Sequence, residues 1–388
     1  MRSERPAQRV VRRVGNLVEQ SISHVIEGSS YEAPPMEYAP EPQTWYRVPL
    51  PEGKCGDGSE YHIYIKIGNC NHLMVFLSGG GVAYDEYSAA RPVTGGTVAA
   101  WEPNYYWNNL RPLTQMMNIN IGITELAPDK NPFFDWNMVV ITYATGDFHV
   151  GNNAYTYLSQ EGKRETLHFH GHANFTESMK MAKRYFPHAD KLLIAGDSAG
   201  AFAVPAVAGD IADQYYPDCQ DITLFSDSAL LIYDKWQEVA RDVWKADKEV
   251  YQPLVSGNIA VDWYTALLQK YPHRFRCLYA SSRRDYLLSA FYNNLTNGSY
   301  STNLHVRRIY QKQSKQMVEQ LSALDSGFGF FINNWKNAIL TVGSGGTIHT
   351  AVRQPYFYRK HPEDVTMAKW LADAVDGKVY NVGLRYLS

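Results

Sequence analysis

Short, nearly unbroken apolar runs recur along this chain, at His72 to Leu77, Met138 to Tyr143, Lys191 to Ala195, Thr223 to Phe225 and Arg274 to Ala280. Strands buried on both faces read this way. Tyr61 to Ile67 instead alternates and is rich in β-branched and aromatic residues, as an antiparallel edge strand would be. Phe328 to Ile332 and Ala338 to Val342 read as late strands. Between these runs lie stretches with helical periodicity, at Ala173 to Tyr185, Asp285 to Phe291, Arg307 to Leu324 and His361 to Val375. Strands that alternate with helices predict an α/β fold, a mostly parallel central sheet with helices on both faces.

Near the start, Val11, Val14, Val18, Ile22 and Val25 repeat at spacings of three and four with polar residues between them. This predicts an amphipathic helix within 1–28, whose apolar stripe needs the body or a second copy of the chain to cover it. Residues 29–51 hold Pro34, Pro35, Pro40, Pro42, Pro49 and Pro51 and read as an extended connector. The catalytic body is expected over 52–388, with compact structure starting near Trp45. Residues 84–134 are irregular and aromatic, and read as a cap in which Tyr84 and Trp101 are candidate pocket walls.

Composition narrows the function. A net charge of -2 over 388 residues gives no electrostatic case for nucleic acid or an anionic membrane as partner. No apolar window is long enough to span a bilayer. The basic residues at the N-terminus are not followed by a continuous apolar segment, so the expectation is a cytoplasmic protein without a secretory signal. Cys55, Cys70, Cys219 and Cys277 are too scattered for a metal or redox motif. His168, His170 and His172 alternate as strand ligands could, yet no acidic or Cys partner stands at a familiar spacing, and no metal is expected.

The run that ends at Ala195 continues as Gly196-Asp197-Ser198-Ala199-Gly200 before helix-compatible residues begin. A G-x-S-x-G sequence between strand and helix makes a tight turn that lifts the serine hydroxyl above the sheet, so Ser198 is the candidate nucleophile. Its base and acid should follow at the ends of later strands. His349 lies in a Gly-rich loop, Gly345-Gly346-Thr347-Ile348-His349, where a base belongs. Asp227 and Asp285 both follow apparent strands, and topology permits either as the acid, with Asp285 at the commoner position. Ser78-Gly79-Gly80-Gly81 follows another strand and suits a loop whose N–H groups face an oxyanion. Asp147 and His149, beyond the strand at Met138, are candidate substrate contacts.

Several of these segments, Ser78-Gly79-Gly80-Gly81, Asn131-Pro132-Phe133-Phe134-Asp135-Trp136-Asn137, Tyr143-Ala144-Thr145-Gly146-Asp147, Gly171-His172-Ala173-Asn174, Gly196-Asp197-Ser198-Ala199-Gly200 and Ser226-Asp227-Ser228, resemble the pectin acetylesterase and Notum family of serine carboxylesterases in content and order. Ser78, Val82 and Ala201 depart from the plant and animal pattern, so the chain looks like a bacterial-type branch. The resemblance implies an α/β-hydrolase fold, with Ser198 as nucleophile, Asp285 as acid, His349 as base, and the N–H groups of Gly80, Gly81 and Ala199 as oxyanion donors. It implies removal of a small acyl group, acetyl above all, from a hydroxylated substrate such as a glycan, without a cofactor. A longer-chain esterase or thioesterase is the alternative within enzymes. A hydrolase-fold binding protein is the alternative of another class.

Overall fold

The computed structural model describes residues 6–26, 32–36, 39–100, 102–336 and 345–388. Ten strands alternate with helices along it: β1 (Trp45–Lys54), β2 (Glu60–Lys66), β3 (His72–Leu77), β4 (Asn137–Ile141), β5 (Asn153–Leu158), β6 (Arg164–Phe169), β7 (Lys191–Asp197), β8 (Asp221–Asp227), β9 (Arg276–Ser282) and β10 (Gly329–Asn333). Eight of them form one sheet in the order β1-β2-β4-β3-β7-β8-β9-β10, and β5 with β6 forms a separate hairpin. β1 is antiparallel to β2, and β2 to β4; the pairs from β4 to β10 are parallel. This is the mostly parallel sheet that the alternating runs predict, of the α/β-hydrolase type that the resemblance implies.

Side chains alternate along a strand, so each central strand feeds two cores. Leu73, Val75 and Leu77 of β3 join Leu192, Ile194 and Leu224 on one face, while Met74 and Phe76 join Leu193, Ala195 and Phe225 on the other. The first face is covered by α5 (Gly171–Tyr185), α6 (Ala199–Asp210), α9 (Ile259–Lys270) and α11 (Leu304–Leu324). The second is covered by α12 (Met367–Val375), which places Trp370 and Leu371 against the sheet. The segment between β3 and β4 carries only short helices, α2 (Glu86–Ala89), α3 (Gly95–Ala99) and α4 (Pro112–Asn118). Two more, α7 (Trp236–Glu238) and α8 (Lys248–Tyr251), precede α9, and α10 (Tyr286–Asn297) follows β9.

Two expectations need correction here. The connector does not extend to 51, because Trp45 to Pro51 lies within β1 at the sheet edge. Pro49 and Pro51 conceal this strand; an edge strand tolerates them, and the register shifts between Pro49 and Lys54. The second concerns α1 (Pro6–Ile26): of the two covers expected for its apolar stripe, the body is not the one, since Val10, Val14, Leu17 and Val18 are all more than half exposed. Its polar side docks instead. Glu19 Oε2 accepts the Gly95 N–H (2.7 Å) and Asn16 Oδ1 the Gly96 N–H (2.7 Å), while Arg12 pairs with Glu102 (2.7 Å) and Glu19 with Arg111. The first N–H groups of a helix lack intrahelical partners, and α1 supplies them to α3. The expected strand at Ala338 to Val342 lies outside the described residues. Among the described residues no helix is long and apolar enough to cross a membrane.

Candidate active site

At the end of β7 the chain turns into α6 within one residue. Ser198 occupies that corner with φ 50° and ψ -122°, a conformation that L-residues adopt only at a cost of about 1–3 kcal/mol. The turn needs a small neighbour: a Cβ on Gly200 would lie 1.9 Å from the Leu77 carbonyl oxygen. The Gly196-Asp197-Ser198-Ala199-Gly200 sequence is therefore a steric requirement of the corner as well as a motif.

Ser198 Oγ lies 2.8 Å from His349 Nε2, and His349 Nδ1 lies 2.7 Å from Asp285 Oδ2. The three side chains come from the ends of β7 and β9 and from the loop beyond β10. Asp285 is fully buried and caps α10, its Oδ1 accepting the N–H groups of Leu287 (2.9 Å) and Leu288 (3.0 Å). One carboxylate oxygen holds the helix and the other holds the imidazole. Burial by itself would push the His349 imidazole down, but the Asp285 carboxylate, supported at longer range by Asp227 and Asp197, outweighs it and raises the pKa.

Asp227, the other acid that topology permits, does not touch His349. Its Oδ2 accepts the N–H groups of Ala351 (2.6 Å) and Val352 (2.8 Å), and its Oδ1 accepts the Ser228 hydroxyl (3.0 Å). It pins the loop that carries His349. Burial pushes its carboxyl up to about 6, against the opposing pull of those two backbone bonds.

The glycine loop after β3 lies against the corner, with Gly79 so close that a Cβ there would be 2.7 Å from Ser198 Cβ. Gly81 takes φ 83° and bridges Tyr106, which leaves Val82 and Trp107 to make the neighbouring hydrogen bonds, to Tyr105 and Gly80. Among the described residues no protein acceptor takes the N–H of Gly80 or Gly81. Ala199, first in α6, likewise has no intrahelical acceptor for its N–H. Ser198 and the three glycines are partly exposed. The Ser198 hydroxyl, the His349 imidazole and the glycine loop thus meet at one partly exposed opening.

Other candidates fall elsewhere. Asp147 and His149 are buried and do not face the opening. Asp147 accepts the Thr145 hydroxyl (2.6 Å) and the Gly171 N–H (2.8 Å), and His149 Nε2 lies 2.9 Å from the Ser78 carbonyl. Burial lowers the His149 pKa to about 4, so this ring stays neutral and donates to the oxygen that precedes the glycine loop. His149 thus supports the loop from beneath, while Asp147 ties its own turn to the start of α5, and their burial explains why position after a strand misled. Tyr84 is buried too, its hydroxyl bonded to Asn294 (2.5 Å) and its ring edge-on to Tyr105. Trp101 lies outside the described residues. Tyr143 and Trp107 are the aromatics that stand beside Gly80. His168 ends up in β6, but the strand stops at Phe169, so His170 and His172 belong to the start of α5 rather than to one strand face.

Arg353 went unremarked in the sequence. It is buried and forks onto Asp197, with Nη2 2.7 and 3.0 Å from the two carboxylate oxygens. The signal was its isolation: it is the only Lys, Arg, Asp or Glu from 337 to 358.

Nothing among curated proteins matches the chain. A family model, described as Pectinacetylesterase, matches residues 50–287, which include Ser198 and Asp285 and stop short of His349. That span is more than half of the chain and covers the sheet from β1 through β9. The chain therefore belongs to the pectinacetylesterase family and is a carboxylic ester hydrolase, a carboxylesterase acting on acetyl esters.

Proposed function

We propose that Ser198, His349 and Asp285 form the catalytic triad of an enzyme that removes acetyl groups from a hydroxylated substrate such as a glycan. The carrying observation is the continuous hydrogen-bond chain from Ser198 Oγ through His349 to Asp285. Ser198 Oγ attacks the ester carbonyl carbon as its proton passes to His349 Nε2. The oxygen that becomes negative is received by the N–H groups of Gly80, Gly81 and Ala199. Collapse of this intermediate expels the alcohol, which takes the proton from His349 and leaves an acetyl group on Ser198. Water, deprotonated by the same imidazole, then attacks the acyl-enzyme and releases acetate. Asp285 keeps the Nδ1 proton in place and stabilises the imidazolium at each step.

The test is covalent. A fluorophosphonate probe is expected to label Ser198 alone, read by peptide mapping; label on another residue, or none on active protein, overturns the assignment. A panel of p-nitrophenyl esters should be fastest at acetate and fall with chain length. A rise with chain length would favour a longer-acyl esterase.

The pH dependence has a definite sign. His349 must be neutral to accept the serine proton, and Asp285 stabilises its charged form. The acid limb of kcat/KM is therefore expected above pH 6.5, the ordinary histidine value. A limb below 6.5 in initial-rate measurements would remove His349 as the base.

A further inference from the structure

Arg353 touches three parts of the site that lie far apart in sequence. Its Nη2 forks onto Asp197, the residue before the nucleophile, and its Nη1 donates to Ser78 Oγ (2.9 Å) and Asn118 Oδ1 (3.0 Å). Ser78 Oγ in turn donates to the same Asn118 oxygen (2.7 Å). Asp197 Oδ1 also accepts the Gly79 N–H at 2.8 Å, so its carboxylate ties the glycine loop to the nucleophile corner. Arg353 itself is four positions beyond His349. One guanidinium therefore spans the strand ends of β3 and β7, the end of α4 and the loop of the base. Its plane also lies over the Phe76 ring, 4.9 Å from the centroid.

We infer that Arg353, acting through Asp197 and Ser78, is a positioning residue that sets the distance between the glycine-loop donors and Ser198. This rests on the triad reading above. The geometry is specific to a fork. Lysine could neutralise Asp197 but could not also hold Ser78 and Asn118 in fixed directions. Ser198 sits in a strained conformation that nothing in its own side chain enforces, and the carboxylate beside it is held by two donors, the Arg353 guanidinium and the Gly79 N–H. The loop it holds through Gly79 is the one whose N–H groups must meet an oxygen that exists only during reaction. An error of about 1 Å in such an arrangement costs about 100-fold in rate, without a matching loss in binding.

A buried charge left alone would destabilise the fold, so the decisive variant removes both partners together. Asp197→Leu/Arg353→Met is expected to melt within a few degrees of the parent and to keep KM for p-nitrophenyl acetate within about threefold, while kcat falls about 100-fold. Its rate of fluorophosphonate labelling at Ser198 should fall in parallel. Arg353→Lys is expected to lie between, with kcat lowered about tenfold and KM little changed. A folded double variant with kcat within threefold of the parent overturns the inference, and so does a loss of rate that merely follows the unfolded fraction. Should the double variant fail to fold, Arg353→Lys decides: parental kcat overturns the inference, and a drop confined to kcat supports it. Failure of the parent protein to label at Ser198 is a different result, which strikes the triad itself and takes this inference with it.

Discussion

Asp285→Asn is expected to lower kcat by about 10⁴ while leaving the protein folded. The amide can still accept from Leu287 and Leu288, since Asn caps helices as well as Asp does, so α10 keeps its first turn. What it loses is the negative oxygen 2.7 Å from His349 Nδ1, and with it the tautomer that presents a basic Nε2 to Ser198. Asp285→Ala would confuse the two roles. The informative comparison is Asp227→Asn, measured for kcat and melting temperature together. Asp227 holds backbone and one hydroxyl, and an amide reproduces most of that, so kcat should stay within about tenfold of the parent. Its larger signature is in stability. The folded carboxyl sits near 6, above its unfolded value of about 3.9. Its contribution to stability is thus full below about pH 4 and lost as pH rises through 6. Asp227→Asn should flatten the stability curve across that window. An inactive but stable Asp227→Asn beside an active Asp285→Asn would reverse the two roles.

Gly200→Val is expected to cost more than about 4 kcal/mol in denaturant unfolding, or to prevent soluble folding altogether. Any Cβ there meets the Leu77 carbonyl oxygen at 1.9 Å and its carbon at 2.5 Å, and both belong to the backbone of β3 in the middle of the sheet. Neither can retreat without separating β3 from β7. Gly327→Val is the matched control, because its nearest neighbour is the Asp325 side chain at 3.2 Å, which can rotate away. Similar losses at both positions would show that the corner is not sterically set.

The parts of the fold that the sequence exposes are those where burial is one-sided or complete. β3, β7 and β8 are buried along nearly their whole length, and their apolar runs say so directly. β5 and β6 were missed because they form an isolated hairpin with most residues at least partly exposed, where burial imposes little pattern. α1 was found by its period, but the polar side by which it docks was not, since periodicity measures segregation of apolar residues and says nothing about which N–H groups elsewhere lack acceptors. In the site, chain order and position after strands point to Ser198 and His349 but leave Asp227 and Asp285 both open as the acid, and it is the hydrogen bond to His349 that tells them apart. Asp147 and His149 satisfy the same positional rule and are buried instead, His149 against the Ser78 carbonyl and Asp147 against the start of α5. Depth below a surface is a property of tertiary packing and leaves no local mark. Arg353 is harder still, because a buried ion pair is defined by a partner 156 positions away.

That long separation has a bearing on how the molecule comes into being. Ser198 and His349 are 151 positions apart and Asp285 and His349 are 64 apart, with the histidine last in the chain. Contacts between such distant segments close slowly, because all the intervening chain must first give up its freedom. During synthesis Ser198 leaves the ribosome long before His349 has been translated. On the proposed triad, hydrolysis would wait until the loop beyond β10 has settled on Asp227 and Asp197. The onset of turnover would therefore report that the loop bearing His349 has reached its place, and a nascent chain would stay chemically silent until then.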